Sequence, residues 1–380
     1  MLYREKIRIE GGMKMPSKVY FTDMRAKHGL NLLDKLGKLY DAAGFQEFIK
    51  PKELVALKVH FGERGNTSYI RPQFLRKIVD KVKTAGGKPF LTDANTLYVG
   101  SRANAVDHLI TAIENGFPYS VVNAPLVIAD GLNGKDYRTV EVNLKHFKEV
   151  KIGSAIFHAD SFIAVSHFKG HEATGFGGTL KNVGMGSGSR SGKQQMHSDL
   201  LPRIKDGKCL ACGRCIKWCP GEAISVAEQA IIEYEKCMGC GECTVTCPHG
   251  AIGINWKTQQ DVIQEKIVEY AYGVLKDKKD KAGFITFVMG VTPDCDCVSY
   301  SDAPIIGDVG ILASRDPVAL DQACIDLVNQ QAGLKNSRLG EENQAEDKFG
   351  TLYPDVDWGV QLAYGEEIGL GTRDYELVKI

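Results

Sequence analysis

The sequence predicts an α/β protein: a mostly parallel sheet with helices on both faces, interrupted by a small cysteine-rich α+β module. Three observations predict it. Short β-rich runs alternate with amphipathic helical stretches from Lys18 onward, the pattern of strands joined through helical crossovers. The alternation pauses near Leu200 and resumes near Trp256, so one domain is expected to surround an insert. Eight of the chain's 11 cysteines lie in that interval. The expected layout is a lead-in over 1–17, a first α/β part over 18–200, the module over 201–256 and a second α/β part over 257–380.

Val19-Tyr20-Phe21 reads as the first strand, and His28 to Ala43 as a helix with Leu30, Leu33, Leu36 and Leu39 on one face. Leu54 to Phe61 is a buried strand ending at His60-Phe61-Gly62-Glu63. Arg71 to Ala85 is the next helix, with Pro72 near its start, where a missing amide hydrogen costs little. Phe90 to Asp93 is a strand, Arg102 to Asn115 a helix and Ser161 to Ser166 an apolar strand. Beyond the module, Gln259 to Leu275 reads as a helix, Phe284 to Met289 and Ile305 to Ala313 as strands, and Pro317 to Gln330 as a helix started by Asp316. Ligands of such sheets sit beyond the carboxyl ends of the strands, where His60, Asp93 and His167 fall.

At 380 residues, the chain exceeds what one ordinary core serves, and 43% hydrophobic content suffices for a packed interior. Lysine plus arginine equals aspartate plus glutamate at 47 each, so no net field favours nucleic acid or anionic membrane. No run approaches the roughly 18 apolar residues of a membrane helix, and Met1-Leu2-Tyr3-Arg4-Glu5-Lys6 has no apolar signal segment. A cytoplasmic, reducing location is therefore expected, and no disulfide framework is needed to explain Cys295, Cys297 and Cys324.

The densest chemistry lies in the module. Cys209, Cys212, Cys215 and Cys219 precede Pro220, and Cys237, Cys240, Cys243 and Cys247 precede Pro248, the second unit being the first moved along by 28 residues. Each reads C-x2-C-x2-C-x3-C-P, which resembles the bacterial ferredoxin pattern for two [4Fe-4S] clusters, three close thiolates holding one cluster and the fourth reaching across to the other. By that rule Cys209, Cys212, Cys215 and Cys247 hold one cluster, and Cys237, Cys240, Cys243 and Cys219 the other. Gly213, Gly239 and Gly241 stand where side chains would collide with a closely wrapped cube. Ala223-Ile224 and Ala251-Ile252, repeated at the same spacing, pack the cubes from water. Paired zinc knuckles are the competing reading, since C-x2-C also binds zinc; the matched repeat with its two prolines favours clusters.

A second site is expected around Ser166 to Glu172, Gly175 to Gly186 and His197. The stretch is too glycine-rich to be expected as a core element; glycines such as Gly177 and Gly178 would let backbone approach a ligand beside Lys181, with His167, His171 and His197 bracketing it. A phosphate loop ending at Ser191-Gly192-Lys193 is rejected, because Ser187 replaces the required first glycine and Gln194 the magnesium-binding hydroxyl. Thr292 to Cys297 follows an apolar strand, and its C-x-C thiolates suit iron, nickel or zinc if His60 or His167 completes the set; a turn with a buried or reducible cysteine pair is the plainer alternative. Cys324 reads as packing.

His60-Phe61-Gly62-Glu63, Ser166 to His171, Gly177 to Gly186, Asp294-Cys295-Asp296-Cys297 and Gly310 to Pro317 together resemble the iron-sulfur-centre proteins of the DUF362 family, from about Lys18 onward and including the module. Many relatives carry cysteine after the glycine at 186, whereas this chain has Ser187. The spacing His171-x9-Lys181-x15-His197 is also similar to that of nickel-pincer lactate racemases. That resemblance implies His171 as acid or base, Lys181 as cofactor tether or anion clamp, and His197 as a metal ligand.

The expectation is thus an iron-sulfur redox protein with two [4Fe-4S] clusters, relaying single electrons to or from a further metal ion or organic cofactor site. An external ferredoxin or flavoprotein would be its partner and a small anion its substrate. The competing expectations are a non-enzymatic electron carrier and a metal or cluster chaperone.

Overall fold

The computed structural model describes residues 15–98, 100–197, 202–205, 207–219, 221–237, 242–253 and 260–380. Most of the expected lead-in and both expected borders of the module lie outside those residues, as do Gly239, Cys240 and Gly241.

An eight-stranded sheet organises the α/β part. Its strands are β1 (Ser17–Asp23), β2 (Leu54–Lys58), β3 (Lys88–Asp93), β4 (Leu126–Ile128), β5 (Ser161–His167), β6 (Ala282–Val288), β7 (Gly310–Ser314) and β8 (Tyr375–Lys379), in the order β8-β1-β7-β6-β5-β2-β3-β4. All neighbours pair in parallel except β7, which runs antiparallel to both β1 and β6. Alternation along β5 shows why the sheet is covered twice: Phe162 and Ala164 enter one core, Ile163 and Val165 the other. The second core is closed by α1 (Leu32–Ala42), α2 (Pro72–Thr84) and α3 (Ala105–Glu114). The first is closed by α4 (Thr179–Ser187), α5 (Arg190–His197), α6 (Gln260–Leu275), α7 (Pro317–Asn329) and α8 (Gly359–Glu367). No helix among the described residues is long and apolar enough to cross a membrane.

Local chemistry sets the ends. The first helix begins four residues later than its leucine spacing suggests, because Asn31 caps it reciprocally with Asp34 while Lys27 and Leu30 bridge across Gly29. At α7 the Asp316 carboxylate accepts from the amides of Val318 and Ala319, both at 2.9 Å. The strand expected over 305–313 pairs in the sheet only from Gly310, since the amides of Ile305 and Val309 bond instead to the carbonyls of Val291 and Val288.

The module sits in sequence between β5 and β6, which are parallel neighbours. Its ends meet where Arg203–Ile204 pairs antiparallel with Ile252–Gly253. Among the described residues, side chains join it to the α/β part. Thr244 Oγ1 donates to Gln194 Oε1 at 3.2 Å, and Lys135 Nζ donates to Thr246 Oγ1 at 2.8 Å while lying 3.2 Å from the Trp218 ring centroid.

Candidate functional site

A cavity of about 710 Å³ opens at the carboxyl ends of β2, β3 and β5. His60, His171, Lys181, His197, Cys295 and Cys297 all line it. Residues more than 230 positions apart in sequence thus share one wall, because the topology gathers the strand ends.

Lys181 is placed by α4. The glycine-rich stretch, not expected as a core element, is from Thr179 a buried helix, and Gly184 within it serves packing. A side chain at Gly184 would meet the Ile267 carbonyl of α6 at 2.1 Å, so only glycine lets the two helices approach this closely. Close helix contact therefore outweighs the cost of about 1 kcal/mol per glycine in a helix. At the start of α4 the buried carboxylate of Asp321 accepts from the amides of Thr179 and Leu180, at 2.7 and 2.8 Å. Gly177 and Gly178 are not among the cavity's lining residues. At Gly178, a Cβ would lie 2.4 Å from Asp321 Oδ1, so this glycine admits the capping carboxylate rather than a ligand.

The C-x-C turn is docked by another glycine. The amide of Gly170 donates to Thr292 O at 2.8 Å, and a Cβ there would lie 2.0 Å from Pro293 O. This contact sets His171 beside the turn: its ring and the sulfurs of Cys295 and Cys297 offer donor atoms within 4.8 Å of one another. Two thiolates and an imidazole are a donor set that suits zinc, iron or nickel. The histidine brought to the cysteines is therefore His171, where the sequence reading named His60 or His167. His60 lines the same cavity, and its Nδ1 accepts the Gly62 amide at 3.1 Å.

His167 does a different job. Its Nδ1 lies 2.9 Å from Asp296 Oδ1 and its Nε2 2.9 Å from Met289 O. With an acceptor at each nitrogen, the ring clamps the aspartate between the two cysteines and has no nitrogen left for a metal or a substrate proton. Lys169 adds to that clamp at 3.7 Å.

Charge in the cavity is arranged around buried cations. Lys58, at the end of β2, is fully buried and meets Asp93 at 2.9 Å and Asn182 Oδ1 at 2.8 Å. Arg102, 1% exposed, reaches Glu63 at 3.1 Å and Asp93 at 3.4 Å and donates to the Tyr98 hydroxyl, which in turn donates to Cys297 O at 2.9 Å. The sequence reading missed this network; Arg102 looked like one more helix residue, and only its burial marks it. Burial pulls Lys193 down to about 8. The Lys181 ammonium lies 3.6 Å from Cys295 Sγ, and although burial disfavours its charge, the Cys295 sulfur keeps its pKa above the ordinary lysine value. Hydrogen bonding from Cys297, with help from Lys181, holds Cys295 well below the usual thiol range, and the same contact pushes Cys297 up. Burial, followed by the neighbouring cations, keeps His60 and His171 well below the ordinary histidine value and His197 at about 3, so these rings are neutral at pH 7. Neutral imidazoles beside several ammonium groups suit a small anion.

In the module, Cys209, Cys212, Cys215 and Cys247 line one cavity, the set that crosses between the two repeat units. Backbone amides point at the sulfurs: Ala223 N lies 3.2 Å from Cys219 Sγ and Ala251 N 3.3 Å from Cys247 Sγ, the same contact one repeat apart, and Ala230 N lies 3.2 Å from Cys209 Sγ. Such bonds to sulfur are among the features that tune cluster potentials, and the thiolate set fits an iron-sulfur group. Ala223, Ile224, Ala251 and Ile252 are buried, and Ile224 and Ile252 pack in one cluster with Cys215 and Cys243. Cys212 is exposed, and Cys243 is buried in the module's small core.

The chain is similar to the lactate racemase apoprotein from Thermoanaerobacterium thermosaccharolyticum, at 15% identity and a TM-score of 0.38, over 71% of this chain and 50% of that one. It is also similar to a protein from Thermotoga maritima, at 13% identity and a TM-score of 0.41, over 79% of this chain and 59% of that one. The chain thus spans about half the length of the racemase it matches. No curated protein sequence matches it. The model of a domain of unknown function, DUF362, matches residues 55–326, a span that holds both the cavity residues and the cysteine repeat, and the chain belongs to that family.

Proposed function

We propose that this is an iron-sulfur redox protein in which the module carries two [4Fe-4S] clusters and exchanges single electrons with a small anionic ligand, or a metal or organic cofactor, in the α/β cavity. Cys209, Cys212, Cys215 and Cys247 would hold one cluster, and Cys219, Cys237, Cys240 and Cys243 the other. When bound, the clusters supply one-electron transfer at low potential. The observation that carries the reading is the continuity of α5: Lys193 and His197 line the cavity, and Gln194 between them meets Thr244, the residue after Cys243. The cluster held by Cys243 would then be the inner one, and the exposed Cys212 would mark the end facing an external ferredoxin or flavoprotein.

Within the cavity, Lys181 and Lys193 would hold the anion, while the neutral rings of His60, His171 and His197 would position it or bind a metal. A passive carrier has no use for such a lining. Anaerobic iron and sulfide analysis with electron paramagnetic resonance is the test. About eight iron per chain are expected, falling to about four in Cys243→Ser, with the reduced-cluster signal simplified to one centre. Zinc in place of iron, or fewer than about two iron per chain after reconstitution, would remove the relay.

A further inference from the structure

We propose that Cys295 and Cys297 form a redox-active pair, cycling between dithiol and disulfide on the cavity wall. The amide of Val298 donates to Cys295 O at 3.1 Å, closing a tight turn with the cysteines at its first and third positions and their sulfurs within 4.8 Å of each other. The turn is held from outside: Asp296 by His167 and Lys169, Cys297 O by Tyr98, and Asp296 O by the Glu63 amide at 3.0 Å. Closing and opening an S–S bond there need move little else.

The surroundings suit a thiolate. Lys181 Nζ stands 3.6 Å from Cys295 Sγ and balances a negative sulfur. The third donor, His171, has its Nδ1 engaged by the Ala173 amide at 3.1 Å.

In the reducing direction the S–S bond breaks as two electrons enter. One proton from cavity solvent adds to Cys297 Sγ, and Cys295 remains a thiolate beside Lys181. The reductant is a low-potential one-electron carrier of the iron-sulfur class acting twice. In reverse, the pair gives two electrons and a proton to a ligand in the cavity and reforms the disulfide. The pair would thereby join one-electron carriers to two-electron chemistry. The electron route rests on the relay proposed above; the pair itself does not.

The test uses the anaerobically purified full chain. It is treated with diamide, denatured in N-ethylmaleimide and mapped by mass spectrometry. The expected result is a Cys295–Cys297 disulfide, with about two fewer alkylated thiols per chain, restored by dithiothreitol or by about two electron equivalents of dithionite. Cys324, buried in α7, should alkylate in every state and serves as the internal standard. In Lys181→Gln the pair should still form, but the dithiol-to-disulfide ratio at a fixed dithiothreitol poise should fall about tenfold, the worth of a charged hydrogen bond. Two thiols that stay alkylatable after diamide would overturn the pair. So would one equivalent of zinc, nickel or additional iron that blocks oxidation and is lost in Cys295→Ser. A pair that responds to dithiothreitol but not to dithionite would leave this inference standing and remove the relay.

Discussion

The module and the cavity gather their reactive groups by opposite means. In the module, cysteines three and four positions apart curl around a common centre, and the same amide-to-sulfur contact recurs at Cys219 and Cys247 one repeat apart. In the cavity, His60, Lys181 and Cys297 come from the ends of different elements and meet only because parallel strands point their carboxyl ends the same way. The first kind of site survives wherever its short segment folds. The second depends on helix packing and buried ion pairs throughout the domain, so the two should respond differently to the same perturbation.

The largest difference should come from Lys58→Met. It leaves Asp93 buried with one fewer cation and is expected to lower the urea-measured stability of the α/β part by about 3–5 kcal/mol while the iron content of the folded protein is unchanged. Loss of iron in the still-folded variant would show that the module borrows its order from the cavity. An intermediate effect is expected from acid. The folded pKa of His197 is about 3, against an ordinary value of 6.5, so between those limits protons bind the unfolded chain preferentially and stability falls as pH falls. From pH 7 to pH 5 this contributes up to about 2 kcal/mol. In His197→Gln the decline should be smaller by that amount; an unchanged pH slope would mean the ring is not held neutral. The smallest effect is expected at the junction. Thr244→Val removes the bond to Gln194 and should cost about 1 kcal/mol or less. If the relay holds, it should slow delivery of electrons to the cavity more than it changes the melting temperature, while equal cluster reduction and cavity response would detach α5 from the path.

The cysteine repeat was legible because its chemistry is local: spacing alone states which sulfurs can surround one centre. The parallel sheet was legible from alternation, and the boundaries of α2, α6 and α7 from Pro72, the apolar spacing after Gln259 and the Asp316 cap. The helix over Thr179–Ser187 was not. Glycine argues against helix on propensity, and only the approach of Ile267 shows why glycine is required there. Nor was the division of labour among the histidines. His60, His167 and His171 look alike in sequence, yet Asp296 and Met289 occupy both nitrogens of His167, while His171 is brought to the sulfurs by the contact between Gly170 and Thr292. Arg102 and Asp321, buried charges that organise the site, carry no motif at all.

By itself, then, the amino-acid order determined the two-unit cysteine pattern, the α/β class and the strand ends at which a pocket forms, because each follows from interactions between near neighbours or from a repeating period. Which imidazole meets the C-x-C turn, which glycine packs a helix rather than opening a loop, and how α5 bridges module and cavity were decided only in three dimensions. Those choices depend on contacts between residues 50 to 114 positions apart, and no local period in the chain encodes them.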